Sequence, residues 1–280
     1  MCAIRQIPFV LFLEVGEGRQ ARILRRLWSR AVMMVVKRAA HLVPASTSCA
    51  RFFDAIGADH KKVDIIPCMP DITELMRKAN VARQKCSSER SRLHVDNRFI
   101  VVYIGRLVEG KGLDDLFKAI DLAVCANPQV FLLVCGAGPL ELQVKKECSL
   151  RDGYTRFYGP IDNSTQLCEV LTMCDLHLMP SHYEGYGVVC AEALSCGIPS
   201  VVTTTSGCRD LILDGYNGFV VIPGDWRKLA EIISRLSSDP GFMSFLRENA
   251  QDAIRDFAPE SLYISLKEVI TASLSTSGSI

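Results

Sequence analysis

The 280-residue sequence predicts an α/β protein whose main body is a doubly wound parallel sheet. Three observations predict it. Residues 99–104 and 130–135 are unbroken apolar runs rich in β-branched side chains, the pattern of strands buried on both faces. Amphipathic segments separate these runs and their successors, so strand and helix alternate along the chain. The glycines and charges gather where strands hand over to helices, the edge at which such sheets bind ligands.

Taken from the N-terminus, the apolar run behind Arg5 is broken by Pro8 and Glu14 and offers no small-x-small cleavage pattern. A buried strand at 8–14 is therefore expected rather than a secretory signal. A helix follows over 19–38, carrying Arg19, Arg22, Arg25, Arg26, Arg30, Lys37 and Arg38, with Leu24, Leu27, Trp28, Val32 and Val35 at helical spacing. It fits either a solvated basic face or a surface resting on anionic lipid. A strand at 41–44, a helix at 46–56 and a strand at 63–67 complete a partial N-terminal α/β segment, residues 1–75. Residues 71–97 are polar, charged and poor in pattern, and 76–97 is read as a linker. The main domain spans 98–257, with strands expected at 99–104, 130–135, 155–158, 176–179, 199–203 and 218–222. The helices expected between them are 113–126, 139–150, 164–174, 187–196 and 208–213. The tail, 226–274, is helical, and 258–280 is set apart as a C-terminal helix.

With 49% apolar residues, 22% charged and a net charge of +1, the composition is that of a globular protein without a global pull toward nucleic acid. Nothing approaches the roughly 20 apolar residues of a membrane span. The twelve cysteines show no CxxC pair and no zinc spacing with histidine, which points to reduced thiols in a cytoplasmic protein rather than a disulfide framework.

Three loops carry chemistry. In the first, 103–112, Gly105, Gly110 and Gly112 let the backbone turn, while Arg106 and Lys111 suit a diphosphate, one as a fork and one as a point charge. The same loop fits a solvated turn equally well. In the second, Gly136-Ala137-Gly138-Pro139 allows close backbone approach, to a ligand or only within a tight turn. The third, 181–193, holds Glu184, Gly185, Tyr186, Gly187 and, eight residues after Glu184, Glu192. The amides of Gly187, Val188 and Val189 stand at a helix start, where oriented N–H groups favour phosphate. A carboxylate near phosphate binds hydroxyls, so Glu192 suits a ribose diol and Glu184 the transferred group. Taken singly, Glu184 fits a helix cap and Glu192 a solvent-facing position. As a pair beside two cations on the same sheet edge they point to a site. His182 is read as a neighbour of that site rather than a base.

These motifs together resemble the family 4 retaining glycosyltransferases, which have the two-domain GT-B fold. The resemblance rests on Gly105-Arg106-Leu107, Glu109-Gly110-Lys111-Gly112, Gly136-Ala137-Gly138-Pro139, the glutamates at 184 and 192 with their flanks, and Asp214-Gly215-Tyr216-Asn217-Gly218. It covers residues 99 to the end, with a weaker stretch over 39–67. It implies a nucleotide-diphosphate sugar, UDP- or GDP-linked, as donor, and a carbohydrate or glycolipid as acceptor, with the anomeric configuration retained. Arg106, Lys111 and Glu184 would be catalytic: the cations on the diphosphate, the carboxylate on the sugar. Gly105, Gly136, Gly138, Gly185, Tyr186, Gly187, Val188, Val189 and Glu192 would bind donor, and Pro160 and Ile161 would pass near the base. Neither metal nor cofactor is implied. The first domain is short for the family, and its acceptor-side glycine loop and histidine are not recognisable. Asp64-Ile65-Ile66-Pro67-Cys68-Met69-Pro70 also replaces the usual Pro-Asn-Gly turn. Three readings follow: an enzyme active alone, a subunit completed by a partner chain, and a donor-binding remnant; a nucleotide-sugar epimerase ranks below them. A peripheral place on the cytoplasmic face of a membrane is the location expected.

Overall fold

The computed structural model describes residues 9–13 and 29–275. Two sheets carry the chain, and both are parallel. The smaller pairs β1 (Val10–Leu13) with β2 (His41–Pro44). Helix α1 (Ser29–Arg38) leads into β2 and α2 (Thr47–Ala55) leaves it, started by Ser46, whose Oγ accepts the Cys49 amide. Of the expected basic helix, α1 shows Lys37 and Arg38 exposed, while Arg19, Arg22, Arg25 and Arg26 lie outside the described residues. The strand expected at 63–67 is only an extended segment beside β2. A single bridge joins Leu42 to Val63, and the Ile66 amide reaches the Pro44 carbonyl at 3.1 Å. Prolines at 44 and 67 have no N–H to give, which stops the ladder.

The larger sheet has the order β5-β4-β3-β6-β7-β8, from β3 (Phe99–Ile104), β4 (Val130–Cys135), β5 (Thr155–Gly159), β6 (Leu176–Met179), β7 (Ser200–Thr203) and β8 (Gly218–Val221). Both its faces are buried. In β3 and β4, Val101, Leu132 and Val134 enter one core while Ile100, Val102 and Leu133 enter another. The first core is closed by α5 (Leu113–Ala126), α6 (Glu141–Ser149), α9 (Trp226–Ser238) and α10 (Pro240–Asp252). The second takes α7 (Ser164–Thr172) and the end of α8 (Val188–Ser195). The strand order reverses between β3 and β6, so the loops leaving these two strands part around a crevice.

Residues 76–97, expected as a linker, are mostly helical: α3 (Ile72–Arg83) and α4 (Cys86–Arg92). Asp71 caps α3 through the Glu74 amide at 2.9 Å. Leu75, Ala79 and Ala82 are buried where α3 lies on α7 and α8. The apolar stripe is narrow and largely alanine, which is why the sequence reads as patternless. The expected helix at 208–213 is a short 3-10 turn, Gly207–Leu211. The tail divides at Pro240 and Pro259, and α11 (Pro259–Ser275) returns to the smaller sheet, where Val269 meets Val43 and Ile66. No described helix is long and apolar enough to cross a membrane.

Candidate active site

The loops after β3 and β6 meet at the switch point. Gly112 has φ +69°, and a Cβ there would stand 2.0 Å from the Pro180 carbonyl oxygen, so the two loops lie flush. The amides of His182 and Tyr183 both donate to the Gly110 carbonyl, at 2.9 and 3.2 Å. This crossing brings Lys111 to Glu184, Nζ to Oε2 2.5 Å, with the side chains only 13% and 15% exposed. Tyr103 lies beneath, donating its O–H to the Arg106 carbonyl at 3.0 Å. Burial, aided by the charge of Glu184, holds its hydroxyl well above the usual tyrosine range. The Arg106 side chain is exposed and makes no hydrogen bond or ion pair among the described residues. One loop therefore offers two different cations, one free and one already held by a carboxylate.

The second element is the start of α8. Gly187 leads in at φ +92°, with no side chain capping the helix. A Cβ at 187 would come within 2.7 Å of Met179 Cε and 3.0 Å of Cys208 Sγ. The positive φ favours glycine here, while the nearest atoms belong to side chains, Met179 flexible among them, that can shift. The amides of Val188 and Val189 belong to the first turn, which has no intrahelical acceptors. Further along, the Glu192 carboxyl is partly buried and has no partner among the described residues; burial raises its pKa. A carboxylate in that state gains most from a ligand that donates hydroxyl hydrogen bonds.

The other expected residues fall into distinct groups. Gly136 and Gly138 sit where the loop after β4 presses on the loop after β3. The Gly105 amide donates to Cys135 O at 3.1 Å, Leu107 to Ala137 O at 2.9 Å, and Leu140 back to Leu107 O at 3.0 Å. A Cβ at 136 would stand 1.9 Å from Gly105 O, and one at 138 would stand 2.5 Å from Leu107 O. Contact between the two loops accounts for both glycines without a ligand. Tyr186 turns its ring away from the crevice into the core and donates its O–H to Met69 Sδ at 3.4 Å. Only its backbone, whose carbonyl accepts the Cys208 amide at 2.7 Å, is left on the loop beside Gly185. After β5, Pro160 is exposed on the rim and Ile161 rests against the second core.

Two contacts escaped the sequence. His182 Nε2 meets Asp115 Oδ2 at 2.5 Å. Asp210, on the 3-10 turn beside the 185–187 loop, accepts the amide and the hydroxyl of Thr47, both at 2.7 Å. Each joins residues far apart in sequence, and no local spacing announces such a pair.

Comparison with known proteins gives the family and the fold. The family described as glycosyl transferases group 1 matches residues 84–253. The capsular polysaccharide biosynthesis glycosyltransferase CapM of Staphylococcus aureus is 25% identical over 184 residues, 65% of this chain and 48% of its own length. A glycogen synthase of Mycobacterium tuberculosis is 30% identical over 178 residues, 62% of this chain and 42% of its own length. The chain thus spans about half, or less, of these relatives. Among solved structures, Anabaena Alr3699/HepE in complex with UDP superposes with a TM-score of 0.83 at 24% identity, over 97% of this chain and 74% of that one. HepE has also been solved with UDP-glucose. The likeness shows a GT-B type fold with a Rossmann-like domain.

Proposed function

The chain belongs to the glycosyl transferases group 1 family, and on that premise we propose that it binds a nucleotide-diphosphate sugar at the β3/β6 crevice and transfers the sugar with retention. The observation that carries this reading is the Lys111–Glu184 pair, set at the switch point with exposed Arg106 on the same loop. A diphosphate is the ligand that uses both cations. It takes Lys111 from Glu184 and engages Arg106 through a forked contact. Glu184, released, accepts hydroxyls of the sugar, and the first amides of α8 face the phosphates. Glu192 takes the ribose diol. The bond from the anomeric carbon to the diphosphate oxygen breaks, and its electron pair leaves with the nucleotide. An acceptor hydroxyl attacks from the same face, and its proton passes to the departing phosphate oxygen. The cations and the helix start neutralise the leaving group, so the reading calls for no resident metal or cofactor.

HepE's complexes with UDP and UDP-glucose favour a uridine donor, with GDP-sugars as the alternative. CapM, a capsular polysaccharide enzyme, favours a carbohydrate or glycolipid acceptor. We place the protein in the cytoplasm, with the basic 19–38 segment against an anionic membrane surface. A second reading has a partner chain complete the acceptor side. It is favoured by the smaller sheet, which among the described residues holds only β1, β2 and one bridged segment.

A thermal-shift panel of UDP- and GDP-sugars tests the donor. A true donor at a hundredfold excess over its dissociation constant stabilises by about 2.7 kcal/mol. Turnover lost in Glu184→Ala would support transfer by this chain; stabilisation without turnover would favour the partner reading. No shift with any nucleotide sugar would overturn the assignment.

A further inference from the structure

We propose that His182 is a positioning residue, whose ring sets the Lys111–Glu184 pair by gripping Asp115. The proposal rests on the reading of that pair as donor contacts.

His182 holds the β3-to-α5 connection at two points. Its amide donates to Gly110 O at 2.9 Å, and its ring meets Asp115 at 2.5 Å. Lys111 lies between those two points in sequence, and Glu184 lies two residues beyond His182. The segments 110–115 and 182–184 are therefore closed by two side-chain ties, Lys111 to Glu184 and Asp115 to His182. The outer tie has one firm end. Asp115 is 11% exposed in the first turn of α5, flanked by buried Leu113 and Leu116, whereas the His182 side chain is 50% exposed.

The ring also borders a cavity of about 460 Å³, with Glu109, Lys118 and Gln143 in its walls and Lys111 not among its lining residues. The Asp115–His182 tie thus stands at the edge of this cavity, with both of its residues in the lining. Without the Asp115 contact the ring has room to leave, and the 182–184 segment loses its tie to α5 while keeping the Lys111–Glu184 contact and the backbone bonds to Gly110. His182 then acts through Glu184 and not on substrate.

The test compares His182→Ala, His182→Gln, Asp115→Ala and the double alanine variant in the full chain. Backbone hydrogen exchange is read over 108–112 and 181–187, together with kcat and KM, using UDP-glucose as probe and a GDP-sugar if the parent prefers it. Losing a hydrogen bond to a charged group corresponds to roughly ten- to a hundredfold. In His182→Ala we expect exchange at Tyr183 and Glu184 to quicken on that scale, and kcat to fall about tenfold with KM within about threefold. A simple loss of folded protein would lower kcat without speeding local exchange. His182→Gln, which keeps an N–H donor, should recover most of both, and the double variant should be no worse than His182→Ala. Parental exchange in His182→Ala, or independent losses that multiply in the double variant, would overturn the proposal. A parent that binds and turns over no nucleotide sugar would sink the donor reading alone, because the exchange result still decides the tie.

Discussion

The loop after β3 and the loop after β4 are both glycine-rich turns at the same sheet edge, yet their glycines answer different demands. In the β4 loop, Gly136 and Gly138 exist because the backbone of the β3 loop occupies the space a side chain would need. In the β3 loop, glycine lets the chain lie against Pro180 and deliver two cations to the crevice. A glycine at a strand end therefore reports close approach, and what approaches has to be found from the neighbours. Cations and partnered carboxylates report chemistry. The contrast separates changes that break folding from changes that break catalysis.

The largest effect should come from the β4 loop. Gly136→Ala would place a methyl carbon 1.9 Å from Gly105 O at φ +147°. Rigid backbone on both sides cannot yield, so we expect loss of folded protein, beyond the roughly 4–5 kcal/mol that marks an exceptional substitution. Circular dichroism and soluble yield read it directly, and a normally folded variant would refute the loop-stacking account. The β3 cations should behave in the opposite way. Arg106→Ala removes an exposed, unpartnered side chain and should leave the melting temperature unchanged while cutting turnover by about 10²–10³. Lys111→Ala should cut turnover similarly and also destabilise, because it strands Glu184 in a partly buried place. Equal melting temperatures for the two variants would break the distinction drawn between a free and a held cation.

The contrast continues beneath the site. The strand that leads to Glu184 carries His177, fully buried, with Nδ1 3.1 Å from Ser200 Oγ and Nε2 without a partner. Burial disfavours the charged ring and lowers its pKa from 6.5 to about 4. Between those values the unfolded chain binds the proton and the folded chain does not. Stability is thus intact above pH 6.5 and falls as pH drops toward 4, by about 2 kcal/mol at pH 5. Urea denaturation at pH 7 and pH 5 measures the difference, and His177→Leu should remove this part of it. A parent whose stability is flat over that range would show that the ring is not held neutral.

The sequence disclosed the large sheet well, because doubly buried strands such as 99–104 and 130–135 write unbroken apolar runs. It singled out Arg106, Lys111 and Glu184 on strand-end turns and Glu192 in the helix that follows, and the structure brings Lys111 and Glu184 together. It failed where structure depends on partners distant in the chain. The alanine stripe of α3 has meaning only against α7 and α8, and Tyr186 looks like a loop residue until Met69 is seen beneath it. The glycine pair at 136 and 138 shows the same limit, since spacing alone could not say whether a ligand or Leu107 came close.

The smallest expected effect tests how the minor sheet is tied to the site. Asp210 accepts both the amide and the hydroxyl of Thr47, at the first turn of α2, and the neighbouring Cys208 amide holds Tyr186 O. A carboxylate at a helix start satisfies a free N–H and suits the helix dipole. Asp210→Ala removes both bonds, but the position is exposed and Ser46 still caps the Cys49 amide. We therefore expect a loss of only about 1 kcal/mol by urea denaturation. Asp210→Asn keeps acceptor capacity for one bond and should lose about half as much. If Asp210→Ala instead costs as much as Lys111→Ala, the minor sheet is held chiefly at this point rather than by the Val43, Ile66 and Val269 contact with α11.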